Sequence, residues 1–222
     1  MLRSSRSRLS TWRAQWVVLC CVFGLMISCQ LALAAENAEA DQHGDHHHNM
    51  ATAEFKRSVV EYVLPEVMLM RTNRSRASFA QEINDGRPVV LNFIYTTCTA
   101  VCPMVSQTFA AFQDKLGPEA AGVHMVSISI DPEQDTPERL AAYQKRYQAG
   151  AQWNFYTGTL EDSIKIQKAF DTYFGDKMNH RPIFFLRAAP GQPWVRLEAF
   201  TTPDDLFAEY RALNSEGHHH AH

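Results

Sequence analysis

Residues 88–103 have the sequence PVVLNFIYTTCTAVCP, and this stretch decides the fold. Its first eight residues are almost all apolar and include β-branched side chains, which is typical of a buried strand. The residues from 103 to 116 have helical spacing through Val105, Phe109 and Phe112. Two cysteines therefore lie where a buried strand ends and a helix begins.

The segments on either side alternate between strand and helix patterns. Thr136, Pro137 and Glu138 indicate a helix start, because Thr is a good N-cap, Pro suits the first turn and an acid favours it. Pro190 and Gly191 indicate a turn between two strands. The predicted elements are a strand at 123–130, helices at 136–149 and 161–173, strands at 182–187 and 194–200, and a helix at 203–213, with further strands within 62–69.

This order predicts an α/β fold in which a central mixed sheet carries helices on both faces. A cysteine pair at the end of the first long strand matches the thioredoxin arrangement. The chain has 222 residues, which is enough for one such domain at 59–214 plus terminal segments. The formal net charge is only -3, so charge gives no reason to expect a nucleic-acid partner.

Residues 1–35 have the features of an export signal. A basic region extends from Arg3 to Arg13, and residues 16–27 are almost entirely apolar. Residues 32–34, Ala-Leu-Ala, have the small side chains of a cleavage site. Cleavage, lipidation at Cys29 and retention as a membrane anchor all remain open. Each outcome predicts that the later residues lie outside the cytoplasm.

Two segments are rich in histidine. Residues 36–58 are polar, contain His43 and His46 to His48, and predict a flexible linker. Residues 215–222 form a His-rich tail with His218, His219, His220 and His222. A solvated or tag-like tail is one interpretation, and weak capture of copper or zinc by imidazoles is the other.

Only Cys98 and Cys102 of the five cysteines lie in the predicted folded part. In an exported protein such a pair is a structural disulfide, a redox centre or a metal site. So short a loop gains little from a cross-link. A helix N-terminus stabilises thiolates, which are soft ligands for Cu(I) and zinc. If the helix has begun by Cys98, both sulfurs lie on one helix face.

The third candidate ligand is His180, in the loop at residues 178–182 before the penultimate predicted strand. In a thioredoxin-like sheet this loop faces the cysteine pair. The alternative is an exposed loop histidine. Two thiolates and one imidazole suit three-coordinate Cu(I), Cu(II) with a further ligand, or zinc with a water. Four neighbours that are more typical of packing or turns are Met104, Met178, Tyr95 and Asp131.

Residues 93–103, FIYTTCTAVCP, resemble the signature of the Sco/SenC copper chaperones, and residues 127–137, SISIDPEQDTP, match a second family segment. Residues 156–158 and the His180 loop follow in the family order, so the resemblance covers roughly residues 62–213. It implies a thioredoxin fold, a periplasmic site facing the membrane, and one copper ion bound by Cys98, Cys102 and His180.

The resemblance also implies a part in building the dinuclear copper centre of cytochrome c oxidase subunit II, as copper donor, as reductant of the receiving cysteines, or both. Many family members have proline after the first cysteine and then an acid, where this chain has Thr99 and Ala100. Asn179 and Arg181 flank the histidine in place of an acid and a Ser or Thr. These departures change the charge near the site rather than the ligand set.

The main alternative is a periplasmic thiol-disulfide oxidoreductase without a bound metal. Cys98 would attack a partner disulfide, Cys102 would resolve the mixed disulfide, and a thiol reductant would regenerate the pair. His180 would then tune the thiolate rather than bind copper. A peroxide-reducing enzyme is less well supported, because the sequence lacks a clear peroxidase constellation around Cys98.

Overall fold

The structure, a computed structural model, describes residues 55–217. The predicted signal or anchor at 1–35, the linker up to residue 54 and the tail histidines at 218–222 lie outside the described residues. Within 55–217, none of the helices has both the length and the apolar character needed to span a bilayer.

Eight strands form one mixed sheet in the order β1-β8-β7-β4-β5-β6-β2-β3. The central pairs β4/β5 and β5/β6 are parallel and the other pairs are antiparallel. The strand bounds are β1 Lys56–Val60, β2 Met68–Arg71, β3 Arg76–Ser78, β4 Val89–Ile94, β5 His124–Ser129, β6 Trp153–Thr157, β7 Ile183–Arg187 and β8 Trp194–Glu198.

Helices cover both faces of this sheet. Successive strand residues point to opposite faces, and Phe184 and Phe185 of β7 show what lies on each. The Phe184 ring stacks on Phe109 with centroids 5.5 Å apart, while the Phe185 ring meets Phe170 edge-on at 5.1 Å. The helices are α1 Phe79–Ile83, α2 Val101–Leu116, α3 Pro137–Arg146, α4 Leu160–Ala169 and α5 Pro203–Gly217.

The predicted α/β class, with a mixed sheet and helices on both faces, is therefore confirmed. The N-cap of α3 is also as predicted, since the Thr136 hydroxyl accepts a hydrogen bond from the Arg139 backbone N–H and Pro137 occupies the first turn. Each of the six residues of β4 is buried, in agreement with the apolar run that predicted this strand.

Strand direction brings the candidate site residues to one edge of the sheet. β4 and β5 are parallel, so their carboxyl ends at Ile94 and Ser129 lie side by side. β7 is antiparallel to β4, so its first residue, Ile183, begins at that same edge. The loop after β4, which carries Cys98, and the loop before β7, which carries His180, therefore meet there.

Some predicted boundaries are wrong. Strand β1 takes in residues 56–58, the last part of the predicted linker, because the free edge of β8 supplies an antiparallel ladder from Lys56 to Val60. Helix α5 continues to Gly217, into the predicted tail. The sequence patterns also missed α1 and β6. They predicted the front strands within residues 62–69, whereas β2 and β3 lie at residues 68–71 and 76–78.

Candidate metal centre

The cysteine loop is held by a buried carboxylate. The Asp135 side chain is fully buried and accepts hydrogen bonds from the Thr96 backbone N–H at 3.1 Å and from the Thr96 hydroxyl. It also accepts from the Ser129 hydroxyl at 2.6 Å. Asp135 therefore ties the first residues after β4 to the end of β5. Cys98 follows in a turn, where its N–H donates to the Tyr95 carbonyl at 3.2 Å.

The two cysteines are brought together by a helix cap rather than by a shared helix face. Helix α2 begins at Val101, so Cys98 precedes it, and the condition that the helix has begun by Cys98 is not met. Ala100, the N-cap residue, provides no side-chain acceptor. Instead, the Cys98 sulfur accepts a hydrogen bond from the Cys102 backbone N–H at 3.3 Å, which satisfies one free donor of the first turn.

The two thiols have different electrostatic environments. Burial alone would raise the pKa of Cys98, but the N–H groups of Cys102 and Ala100 and the Tyr95 hydroxyl donate to its sulfur and lower the pKa overall. Cys102 is fully buried, and burial raises the pKa of its thiol well above the ordinary value. The environment therefore favours the thiolate form at the half-buried Cys98 and the protonated form at Cys102.

His180 reaches the carboxyl end of β4 from the loop before β7. Its Nε2 lies 3.0 Å from the Phe93 carbonyl oxygen. A carbonyl only accepts, so Nε2 carries the proton and Nδ1 keeps a free lone pair. Burial lowers the pKa of His180 to about 4, so the imidazole is neutral at pH 7. A carbonyl bond to one nitrogen is the usual way in which a metal-binding histidine is oriented.

Cys98 and His180 line one cavity of about 170 Å³, together with Tyr95, Lys177 and Met178. Cys102 is fully buried and does not line this cavity. Within residues 55–217, no three His, Cys, Asp or Glu side chains are already close enough to hold one metal ion. Binding by all three predicted ligands therefore requires their side chains to move closer together.

The donor set and the space both fit a copper ion. Two thiolates and a neutral imidazole are soft to intermediate donors of the kind that Cu(I) favours. The cavity volume is larger than the volume of about 30 Å³ that one water molecule occupies in the liquid. The assignment of Cys98, Cys102 and His180 as ligands stays a prediction.

The four neighbours named from the sequence have different positions. Tyr95 and Met178 line the cavity, and the Tyr95 hydroxyl lies 3.8 Å from the Met178 sulfur. Asp131 lies deeper, where its carboxylate accepts a 2.6 Å hydrogen bond from the Lys177 ammonium. Met104 is exposed on α2 and does not line the cavity.

The residues in which this chain departs from the family pattern lie at the surface around the cavity. Thr99 and Ala100 are exposed and line its mouth. The Arg181 guanidinium stacks over the Phe174 ring at 4.8 Å. This arrangement holds the positive charge of Arg181 beside the histidine loop.

Sequence reasoning missed two residues that position the pair. The carboxylate of Asp135 holds Thr96, and the Tyr143 hydroxyl lies 2.9 Å from the Ser106 hydroxyl and donates to the Cys102 carbonyl at 3.4 Å. Asp135 occurs in the DPEQDTP segment, which suggested a helix start and gave no sign of a buried acceptor. Tyr143 has the spacing of an ordinary apolar helix residue.

Replacing Asp135 with alanine is expected to lower the free energy of unfolding by about 3 kcal/mol, because the Thr96 N–H and two hydroxyls lose a charged, buried acceptor. Urea unfolding of the reduced protein measures the loss. Asp114→Ala, on the exposed surface of α2, is the control and should change stability by less than about 0.5 kcal/mol. A loss below about 1 kcal/mol for Asp135→Ala would contradict the anchoring role.

Comparison with known proteins identifies the family of this chain. The SCO1/SenC family model matches residues 70–214. The SCO1 protein homolog of Bacillus subtilis (strain 168) is 27% identical over 153 residues, which span 64% of this chain and 79% of that protein.

Two solved structures are similar in fold. Copper-bound ScoI of Arabidopsis thaliana has a TM-score of 0.58 and 22% identity, over 68% of this chain and 98% of that one. BsSco, a member of the Sco family of cytochrome c oxidase assembly proteins in which a disulfide switch was identified, has a TM-score of 0.60 and 22% identity, over 71% of this chain and 96% of that one. On the extent of the family match, the chain belongs to the SCO1/SenC family.

Proposed function

We propose that this protein binds one copper ion through Cys98, Cys102 and His180 and delivers it to subunit II of cytochrome c oxidase during assembly. The observation that carries the proposal is the hydrogen bond from the Cys102 backbone N–H to the Cys98 sulfur, together with the cavity that Cys98 and His180 both line. Family membership and the copper-bound state of a structural relative support it.

The arrangement suits a donor that must also release its cargo. Cys98 is accessible and thiolate-forming, so it is the sulfur that an acceptor thiolate can replace by ligand exchange. His180 lies on a separate loop from the cysteines, so it can leave the ion without disturbing them. Both cysteines must be reduced and deprotonated to bind, so oxidation or acidification weakens binding.

We also propose that the domain works outside the cytoplasm, on the periplasmic side of the membrane. The support is the sequence pattern of residues 1–35, which has the features of an export signal or a membrane anchor. Cleavage, lipidation at Cys29 and retention as an anchor differ in how closely the domain stays at the membrane.

A second candidate function, reduction of the acceptor's cysteines, is favoured by the unequal thiols. The Cys98 thiolate would attack one sulfur of an acceptor disulfide, and the other sulfur would leave as a thiolate and take up a proton. Cys102 would then lose its proton and attack the Cys98 sulfur. This step would release the second acceptor thiol and leave a Cys98–Cys102 disulfide for a thiol reductant to reduce.

The experiment that separates the two functions uses the soluble copper-receiving domain of subunit II. The copper-loaded full chain is mixed with the reduced acceptor, and the reduced copper-free chain is mixed with the disulfide form. Transfer of copper supports the donor function, and appearance of acceptor thiols supports the reductant function. If no copper is transferred and no acceptor thiols appear, both functions are contradicted.

A further inference from the structure

An exposed methionine lies at the mouth of the candidate copper centre. Met178 is two residues before His180, and it lines the same cavity as Cys98 and His180. It is 72% exposed, although its side chain is apolar. A thioether is a soft, neutral ligand of the kind that Cu(I) selects.

A polar contact holds the Met178 thioether at the cavity. The Tyr95 hydroxyl lies 3.8 Å from Met178 Sδ, and Tyr95 lines the cavity together with Cys98. The Met178 sulfur, although exposed, therefore lies against a residue that lines the cavity.

The backbone at Met178 is fixed although the side chain is exposed. The Asp176 carboxylate accepts a 2.9 Å hydrogen bond from the Met178 N–H. Lys177, the residue between them, is held at 2.6 Å by Asp131. The thioether is thus carried on an anchored turn beside the cavity.

Cys102 has a different position from these three donors. It is fully buried and does not line the cavity, whereas Cys98, Met178 and His180 do. An ion that arrives from solvent meets those three donors before it reaches Cys102.

We infer that Met178 is an additional copper ligand, which together with Cys98 and His180 forms an outer donor set that receives Cu(I) before Cys102 takes part. The inference rests on the proposed copper-binding function. No proton is released from the thioether, and no electron is transferred. Copper passes inward when the Cys102 thiol loses its proton to water and the resulting thiolate replaces the Met178 sulfur.

The first test follows the methionine methyl groups directly. The full chain, labelled with ¹³C in its methionine methyls and reduced, is titrated anaerobically with one equivalent of Cu(I). The Met178 signal, assigned by its loss in Met178→Leu, should shift, while that of Met104, exposed but outside the cavity, should not. A Met178 signal that stays unmoved while copper binds at the cysteines would overturn the inference.

The second test isolates the outer set in a Cys102→Ser background. Adding Met178→Leu to that background should lower the Cu(I) affinity about tenfold, the lower end of the effect of removing supporting groups at metal sites. Adding Met104→Leu should leave the affinity unchanged. Equal affinities for the two double variants would overturn the inference.

The tests also separate this inference from the proposed function. Cys98→Ser/Cys102→Ser measures copper held elsewhere, including by the His-rich segments. If wild type binds no more tightly than this variant, both the proposed function and the inference fail. If wild type binds more tightly, but the Met178 methyl signal does not shift and Met178→Leu does not change the affinity, only the inference fails.

Discussion

Replacing Cys98 or Cys102 with alanine will lower the Cu(I) affinity of the reduced chain by more than about 100-fold, above the upper end of the effect of losing an outer-shell partner. Each substitution removes a soft thiolate from the proposed three-donor set. His180→Ala will have a smaller effect, about 10- to 100-fold, because both thiolates remain. Competition with a Cu(I) chelator under anaerobic conditions measures all three.

The full chain offers matched controls for this series. Cys29→Ala removes a cysteine from the N-terminal segment, and His218→Ala removes an imidazole from the tail. Neither should change the affinity of the tight site. A wild type that cannot compete with the chelator, or a series in which the three substitutions have no larger effect than the controls, would refute the copper site.

Alkylation of the reduced, metal-free protein will modify Cys98 at least about 100 times faster than Cys102 at pH 7, since only the thiolate reacts and only Cys98 is accessible. The lowered pKa of Cys98 means that its thiolate persists to lower pH than that of a free cysteine, whose pKa is about 8.5. The pH dependence of the Cys98 rate should therefore be shifted to lower pH than that of an unperturbed cysteine thiol. Iodoacetamide labelling with peptide-resolved mass spectrometry measures each cysteine separately.

The Tyr95 hydroxyl gives this second prediction a variant test. Tyr95→Phe removes one donor to the Cys98 sulfur, so the pKa of Cys98 should rise and the rate profile should move to higher pH. Tyr173 is 39% exposed, and Tyr173→Phe, the control, should leave the pH dependence of the Cys98 rate unchanged. Equal reactivity of Cys98 and Cys102 would contradict the asymmetry on which the reductant mechanism depends.

The main elements of the fold were predictable where the local pattern is strong. The apolar run before Cys98 corresponds to β4, and the Thr136-Pro137 start corresponds to α3. Strand β1 was missed because its burial pattern is mostly exposed, and it is a strand only because β8 offers a free edge. Strand β6 was also missed, and in the structure it is held by pairing with β5 and β2.

The residues of the candidate centre could be named from the sequence, but their arrangement could not. The spacing of Cys98 and Cys102 was compatible with a shared helix face. In the structure Cys98 instead precedes α2, and its sulfur caps the helix by accepting a hydrogen bond from the Cys102 backbone N–H. The role of Asp135 depends on contacts with Thr96 and Ser129. These groups meet only when two parallel strands end side by side.

By itself, the sequence determined the α/β class, the place of the cysteine pair at a strand end, and the candidate ligands, because these depend on local apolar periodicity and on residue chemistry. Only the tertiary structure decided that the surroundings lower the pKa of Cys98 and raise that of Cys102, that His180 and Met178 share a cavity with Cys98, and that Cys102 is fully buried and does not line it. Thiol pKa values and accessibility depend on burial and on donors from separate segments. Only the pairing of distant strands brings those segments together.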